Sequence, residues 1–506
     1  MGNVETPALE TALVSVHDKA GLDHLARGLT ARGIRLLASG GTARYLKQAG
    51  VKCDDVSGIT GRVELLGGLV KTLHPGIHAG ILSDRSNPAH MQELAALGFT
   101  KIDMVVVNFY ALPDVSIGKD LGFIDIGGPA MARAAAKNFR SCVPVPHPSW
   151  YAAVLAEIEA GGAVSEDLRW RLATDTLTRT GTYDARVLGK VGLGPDAGPG
   201  ADSIVLGLAR ALALRYGENP HQRAGFFTPT GETDFEVVKG ELSYNNILDL
   251  DCALEALREL DGAAAVVVKH VGPCGLAEGR SPAAALEAAY ACDPVSAYGG
   301  VVAVNSTFDA ACAEFLAKRF VEVIVAPSFD EAALAGLAKK KARLVRAGLG
   351  RGASGLLRSA AGGVLLQERD RVPAGESLKF VSGECADQQM MRDLEFAWKA
   401  VKQVRSNAVV FARDGRTLGI GGGQPSRVDS TRLAIAKAAQ FGHDLAGSVM
   451  ASDGFFPFPD SVELAAAAGA RAVVQPGGSI RDAEVVEAAR RLGVVMATTS
   501  VRHFKH

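Results

Sequence analysis

An α/β fold in more than one domain, opening with a largely parallel sheet, is what this sequence predicts, and three observations carry the prediction. The chain has 506 residues, more than one hydrophobic core organises, so two to four domains are expected. Its first part alternates short apolar runs with stretches of helical periodicity, the pattern of strands and helices that build a parallel sheet. A stretch rich in Gly and Pro, residues 190–202, interrupts that pattern and reads as a linker.

Taken in order, residues 11–16 are a short apolar run and predict a strand. Residues 22–32 carry apolar positions at helical spacing, 34–38 are apolar again, and 42–49 return to helical spacing. Residues 103–108, DMVVVN, predict a buried strand. In such a sheet ligands gather at the carboxyl ends of the strands. Beyond the linker, strands are predicted at 263–269 and 408–412 among helical segments. Residues 348–377 are Gly-rich and read as a loop holding one short apolar strand. The expected domains are 1–195 and 203–506, with a further division of the second near 345–380. No internal repeat is visible in the sequence.

Composition narrows the function classes. Hydrophobic residues make up 48% and charged residues 22%, and the net charge is −1. That balance argues against a general binder of nucleic acid or membrane surface, so cationic side chains that hold anions must act locally, in pockets. No apolar run has the length of a membrane span, and no secretory leader pattern opens the chain, so a cytoplasmic location is expected. Met1, Gly2 and Thr6 formally fit a myristoylation pattern, which is short. Cysteines 53, 142, 252, 274, 292, 312 and 385 are scattered, odd in number and without a CxxC pair. This suits a reducing compartment and neither a disulfide scaffold nor a zinc ribbon.

Two constellations carry chemistry. In the first, Ser39, Gly40, Gly41 and Thr42 lie between an apolar strand and a helix. Glycines there let backbone N–H groups approach a phosphate at a helix N-terminus. SVHDK at 15–19 ends the first strand and contains Lys19. VKTLHP at 70–75 supplies Lys71 and Thr72. Asp125 stands just before a helix opened by Pro129, and Lys137 lies in the string RAAAKN. Asp125 taken alone also reads as a helix cap. In the second constellation, the apolar strand 263–269 delivers Lys269 and His270 into a turn read at 271–275. ALRYGENPHQ at 213–222, DPVSAYGG at 293–300, GGGQPSR at 421–427, SDGFFPF at 452–458, PGGSIRD at 476–482 and RHFKH at 502–506 accompany it.

The strings SVHDK, SGGTA, VKTLHP, HAGIL, VVNFY, DIGG and RAAAKN, in this order and spacing, resemble the N-terminal domain of a family of bifunctional purine biosynthesis enzymes. The second set resembles that family's transformylase domain. The resemblance implies a methylglyoxal-synthase-like parallel-sheet domain followed by a duplicated cytidine-deaminase-like domain. It implies formyl transfer from 10-formyltetrahydrofolate to aminoimidazole carboxamide ribotide (AICAR), then closure of the formyl product (FAICAR) to inosine monophosphate with loss of water. By the same resemblance, Lys71 stabilises the oxyanion of cyclisation, Lys137 delivers the proton, and Asp125 and Tyr110 orient the amide. Lys19, Ser39, Gly40, Gly41 and Thr42 hold the phosphate, with Thr72, Asn108, Gly127 and Gly128 lining the substrate. For formyl transfer, His270 is the base and Lys269 stabilises the oxyanion or protonates the folate nitrogen. Arg215, Tyr216 and Arg502 clamp the phosphate. Asn407 and Arg427 meet the heterocycle or folate, and Gly299, Glu322 and Phe455 line the cleft. The folate is a co-substrate, and no metal is required. The implied partners are AICAR, FAICAR, inosine monophosphate and folate, without nucleic acid or membrane, in a homodimer whose transformylase sites form across the interface.

The chain departs from the family pattern at Leu69, usually arginine, and at His17, often serine. Gly272 replaces a usual asparagine, and Pro425 stands where Met or Gln is commoner. Leu69 and His17 bear on affinity at the cyclohydrolase site. Three rival readings are weaker. A non-catalytic metabolite sensor would not need both lysine sets. A zinc deaminase needs P-C-x-x-C, but Ala277 stands at the second cysteine position. A dinucleotide dehydrogenase needs G-x-G-x-x-G, which Gly421 to Gly423 do not make.

Overall fold

The computed structural model describes residues 9–61, 65–112, 120–191, 199–350, 355–371, 377–384 and 387–506. The centre of the linker reading, the Met1–Gly2–Thr6 pattern and Cys385 lie outside them. The chain divides into two compact units, Met1–Ala209 and Arg210–His506. Residues 203–209, expected in the second domain, group with the first. Close packing is the reason: a Cβ built on Gly207 would lie 2.6 Å from Ala185 Cβ, on the long helix Glu166–Lys190.

The first unit is built on a five-stranded parallel sheet ordered Asp54–Asp55, Arg35–Ala38, Thr11–Ser15, Met104–Val107, Val143–Val145. Successive side chains point to opposite faces of a strand. Ala12, Val14, Leu36, Met104 and Val106 therefore enter one core, and Leu13, Leu37, Val105 and Val107 another. Burial on both faces explains the unbroken apolar runs in the sequence. Helices Leu22–Ala31 and Gly40–Gln48 follow the first two strands, as the periodicity predicts. The helix expected to open at Pro129 begins earlier, at Gly127, with Pro129 in its first turn.

The second unit holds a twelve-stranded mixed sheet made of two halves with one plan. The first half runs strand Phe235–Lys239, helix Tyr244–Glu259, hairpin Ala263–Lys269 and Gly272–Gly279, then helix Pro282–Cys292. Strands Val301–Val304, Val323–Ala326 and Arg343–Ala347 follow, separated by helices Ala310–Leu316 and Glu331–Leu337. The second half repeats this as strand Lys379–Ser382, helix Gln388–Val401, hairpin Val409–Arg413 and Arg416–Gly421, then helix Arg427–Gln440. Its strands Val449–Ser452, Ala472–Pro476 and Val495–Thr499 alternate with helices Asp460–Ala467 and Asp482–Arg491. In each half the opening strand pairs antiparallel with the last one. The halves join antiparallel at Ala277 and Arg416. One face of the sheet carries a core common to both, with Val266 and Val268 beside Val410 and Ala412. The other face has a separate core in each half.

A repeat that the sequence does not display is thus present in the topology. It persists because close packing, not residue identity, is what recurs. A Cβ on Gly275 would lie 1.9 Å from Ala289 O, and one on Gly419 would lie 2.3 Å from Ala434 O, each under the eighth residue of its helix. Each half lays its helix directly on the hairpin strand, and only glycine fits beneath it. Two local expectations are corrected. The turn read at 271–275 is the start of strand Gly272–Gly279, and the turn itself is His270–Val271. The single strand expected within 348–377 is a two-stranded hairpin, Gly355–Ala360 and Gly363–Glu368, largely exposed.

Candidate active sites

In the first unit, strands Thr11–Ser15, Arg35–Ala38 and Met104–Val107 run parallel, so their carboxyl ends share one edge of the sheet. Residues 16–19, Ser39–Thr42 and Asn108–Tyr110 emerge there. Gly40 opens a helix, whose first N–H groups lack intrahelical acceptors and favour an anion. The Thr42 hydroxyl is already engaged, accepting from Val16 N–H at 3.2 Å and donating to Val16 O at 3.1 Å. Ser39 and Ser15 hydroxyls meet at 3.1 Å. Lys19 Nζ donates to Val16 O and His17 O at 3.3 and 3.1 Å. Asn108 Oδ1 accepts the N–H groups of His17 and Asp18 at 2.6 and 2.9 Å. Asn108 therefore shapes the loop that carries Lys19.

A second cluster stands at the N-terminus of helix Gly127–Lys137. Asp125 Oδ1 accepts Gly128 N–H at 2.8 Å, a bond to the helix's first turn made from the residue before its N-cap, Ile126. Asp125 N–H donates to Tyr183 Oη at 2.9 Å. Burial pushes the Asp125 carboxyl up, against the pull of the Gly128 and Tyr110 N–H groups and of His17. The His17 and Tyr110 rings meet edge to face at 5.6 Å. Thr72 is buried, and a Cβ on Gly127 would lie 2.6 Å from its Oγ1. Glycine at 127 thus lets Thr72, with Lys71 beside it in sequence, approach the helix end. Leu69 is 74% exposed.

Lys137 is not brought to this cluster. It ends the same eleven-residue helix whose first turn bonds to Asp125. At about 1.5 Å of rise per residue, Lys137 lies roughly 15 Å from Gly127. The sequence places both residues near recognisable strings, but the helix between them holds them apart.

In the second unit, Lys269 and His270 line a cleft of about 510 Å³, within the span of roughly 300–1,000 Å³ that small-molecule sites occupy. Val404, Arg405, Gly422 and Gly423 line it from the second half, so the cleft bridges the two. Lys269 Nζ donates to Tyr298 O at 2.6 Å. Gly299 follows with φ 74°, and its N–H donates to Phe320 O at 2.8 Å. His270 and Val271 both have positive φ, 55° and 60°. Asp249 Oδ1 accepts Val271 N–H at 2.7 Å. Also in the lining, Asp293 pairs with Lys437 at 2.7 Å and accepts from Ser296 Oγ at 2.7 Å. Burial pushes the Cys274 and Cys292 thiols up to about 12, so neither is a nucleophile at neutral pH.

The remaining expected residues stand outside that lining. Glu322 accepts from Asn246 Nδ2 at 3.1 Å and Arg343 at 3.4 Å. Arg427 is buried, ion-paired to Asp453, and bonded to Ser452 Oγ at 2.9 Å and Asn407 Oδ1 at 2.8 Å. Much of its fork is therefore committed inside the protein. Arg215 is exposed and lies over the Tyr216 ring at 4.9 Å. Arg502 lies over Phe504 at 4.4 Å, and Phe455 is 40% exposed. Among the described residues, no group of three or more His, Cys, Asp or Glu side chains is placed to hold a metal. No described helix is long and apolar enough to cross a membrane.

Residues 135–437 match the family described as AICARFT/IMPCHase bienzyme, and residues 21–121 match the MGS-like domain. The chain belongs to the AICARFT/IMPCHase bienzyme family. It is 45% identical to the bifunctional purine biosynthesis protein PurH of Magnetococcus marinus (strain ATCC BAA-1437 / JCM 17883 / MC-1), over 98% of this chain and 99% of that one. The crystal structure of ForH aligns at 36% identity with 36% of this chain and 98% of its own, with a TM-score of 0.34.

Within this member of the bienzyme family, the sequence reading passes over Asp249, Arg405 and Lys437. Each is a lone charge in a helix or loop, which usually means a solvated surface. Only tertiary packing reveals what each one faces, within the first half for Asp249 and between the halves for Arg405 and Lys437. Asp293 stands in the quoted string DPVSAYGG, but nothing in that string announces its pairing with Lys437.

Proposed function

We propose that the two reactions of the family run in separate units of this chain, cyclisation at the Asp125 edge of the first and formyl transfer at the cleft of the second. As a family member the protein is an enzyme of purine biosynthesis, an AICAR formyltransferase and IMP cyclohydrolase. The observation that carries the placement is the Lys269–His270 pair at a cleft lined by both halves of the second unit.

The amine of AICAR is a poor nucleophile, because the ring and carboxamide draw on its lone pair. His270 takes its proton as the new N–C bond forms. Lys269, held by Tyr298 O, meets the oxygen that becomes negative. The bond from the formyl carbon to the folate nitrogen then breaks, and that nitrogen gains a proton. The donor is 10-formyltetrahydrofolate, bound as a co-substrate without a metal.

For cyclisation, the carboxamide nitrogen attacks the formyl carbon and water leaves. Lys71 faces the developing oxyanion. Asp125 and Tyr110 orient the carboxamide, and the Gly40 helix end with Lys19 takes the phosphate. Lys137 is left out of the reaction within one chain, given its distance along the helix. Arg215, Tyr216 and Arg502 do not line the cleft and reach a ribotide phosphate only in a site completed by a second copy. A cytoplasmic homodimer is therefore the proposed form, which light scattering on purified protein checks.

His270→Ala is expected to lower transformylation by about 10²-fold or more, the size of a general-base loss, while leaving cyclisation of supplied FAICAR near the parent rate. Lys71→Ala is expected to do the reverse. Equal loss of both activities in a folded His270→Ala protein would contradict the two-site reading.

A further inference from the structure

The two halves of the second unit make the same hairpin turn from opposite kinds of residue. In the second half the turn is Asp414–Gly415, with φ of 54° and 66°. That pair adopts such a two-residue turn with little strain. In the first half the same place holds His270–Val271, both left-handed. A β-branched residue with positive φ is a conformational outlier, and outliers persist only where the surroundings impose them.

The surroundings here are a buried carboxylate, again in duplicate. Asp249 is the sixth residue of helix Tyr244–Glu259, and Asp393 is the sixth residue of helix Gln388–Val401. Asp249 accepts Val271 N–H at 2.7 Å, and Asp393 accepts Gly415 N–H at 3.0 Å. Both side chains are buried. The N–H of His270 lies beside the same carboxylate. Burial pushes the Asp249 carboxyl up, and these two N–H groups, with the His270 ring, oppose that push.

We propose that Asp249 is a positioning residue for formyl transfer: it holds the His270–Val271 turn in its left-handed conformation and so fixes the imidazole at the cleft. The proposal rests on reading His270 as the group that takes the amine proton. Asp393 performs the same mechanical task on a turn whose residues already favour it, and that turn presents no side chain to the cleft. The chain therefore contains its own control. Loss of Asp393 removes an anchor that an Asp–Gly turn can do without. Loss of Asp249 releases a strained turn together with the residue it presents.

The test uses the full chain and reads transformylase kcat and KM, cyclohydrolase activity and thermal unfolding. Asp249→Ala is expected to lower transformylase kcat by about tenfold or more, the order by which a misplaced catalytic group slows a reaction, with KM and cyclisation little changed. Asp249→Asn keeps an acceptor for Val271 N–H and is expected to recover most of that loss. Asp393→Ala is expected to keep the parent kcat even if its melting temperature falls. Parent kcat in Asp249→Ala, with His270→Ala inactive, overturns the proposal and spares the reading of His270. Equal kcat losses in Asp249→Ala and Asp393→Ala overturn it as well. Full activity in His270→Ala removes the reading beneath it, and the proposal with it. Should Asp249→Ala not fold, the pair Asp249→Leu and Asp393→Leu, which keeps the branched shape but removes the acceptor, makes the same comparison. A smaller kcat in the first supports the proposal, and equal values overturn it.

Discussion

Arg427 shows how a residue's surroundings redirect its meaning. The string GGGQPSR suggests a ligand for the heterocycle or folate. The structure pairs Arg427 with Asp453, which is fully buried, and adds bonds to Ser452 and Asn407. Asp453 also accepts Ala408 N–H at 3.0 Å and the Ser406 hydroxyl. Removing one partner of such a pair leaves an uncompensated buried charge. Arg427→Ala is therefore expected to destabilise the protein by about 3–5 kcal/mol, measured by urea unfolding. Unchanged stability with only a raised folate KM would return Arg427 to the role of a simple ligand.

Among the elements, helix Arg427–Gln440 of the second half reaches the first half beside the cleft through an ion pair. Its Lys437 meets Asp293, the residue that ends helix Pro282–Cys292. Burial would raise the Asp293 carboxyl, but the Lys437 and Ser296 bonds outweigh it and hold the group below its ordinary value of 3.8. A depressed carboxylate contributes stability above its unfolded pKa and loses it as pH falls through the lower folded value. Asp293→Asn is expected to be less stable than the parent at pH 7, with the gap closing below about pH 4, where an unfolded aspartate protonates. Urea unfolding of both proteins at the two pH values checks this. A gap that persists in acid would mean that Asp293 acts through packing and not through charge.

For the whole molecule, the two units each have their own sheet and core, and the proposed chemistry divides between them. On the proposed placement, FAICAR made in one unit leaves it to be closed in the other. A mixture of His270→Ala and Lys71→Ala proteins is then expected to turn AICAR and formyl folate into inosine monophosphate, after a lag while FAICAR accumulates. Chromatography of the products gives the measurement. No inosine monophosphate from the mixture, with each variant retaining its one activity, would show that FAICAR does not pass through solvent.

The sequence by itself determined the parallel sheet of the first unit, because strands buried on both faces leave unbroken apolar runs such as Met104–Val107. It determined the family as well, since the motif strings keep their order along the chain. It also marked Lys269 and His270, because two titratable residues ending an apolar strand stand out without any knowledge of packing. Only the tertiary structure decided the turn that presents them. A preference for Gly or Asn at positive φ points away from His270–Val271, and the carboxylate that overrides it lies some twenty residues earlier, on a helix. The repeat in the second unit was hidden for a related reason: helix–strand contact demands glycine at Gly275 and Gly419 but leaves most neighbours free to differ. The separation of Lys137 from Asp125 was likewise undecided until a continuous helix fixed the distance between them. Local propensity and motif order are written in consecutive residues, whereas which charges meet depends on contacts between segments far apart in the chain.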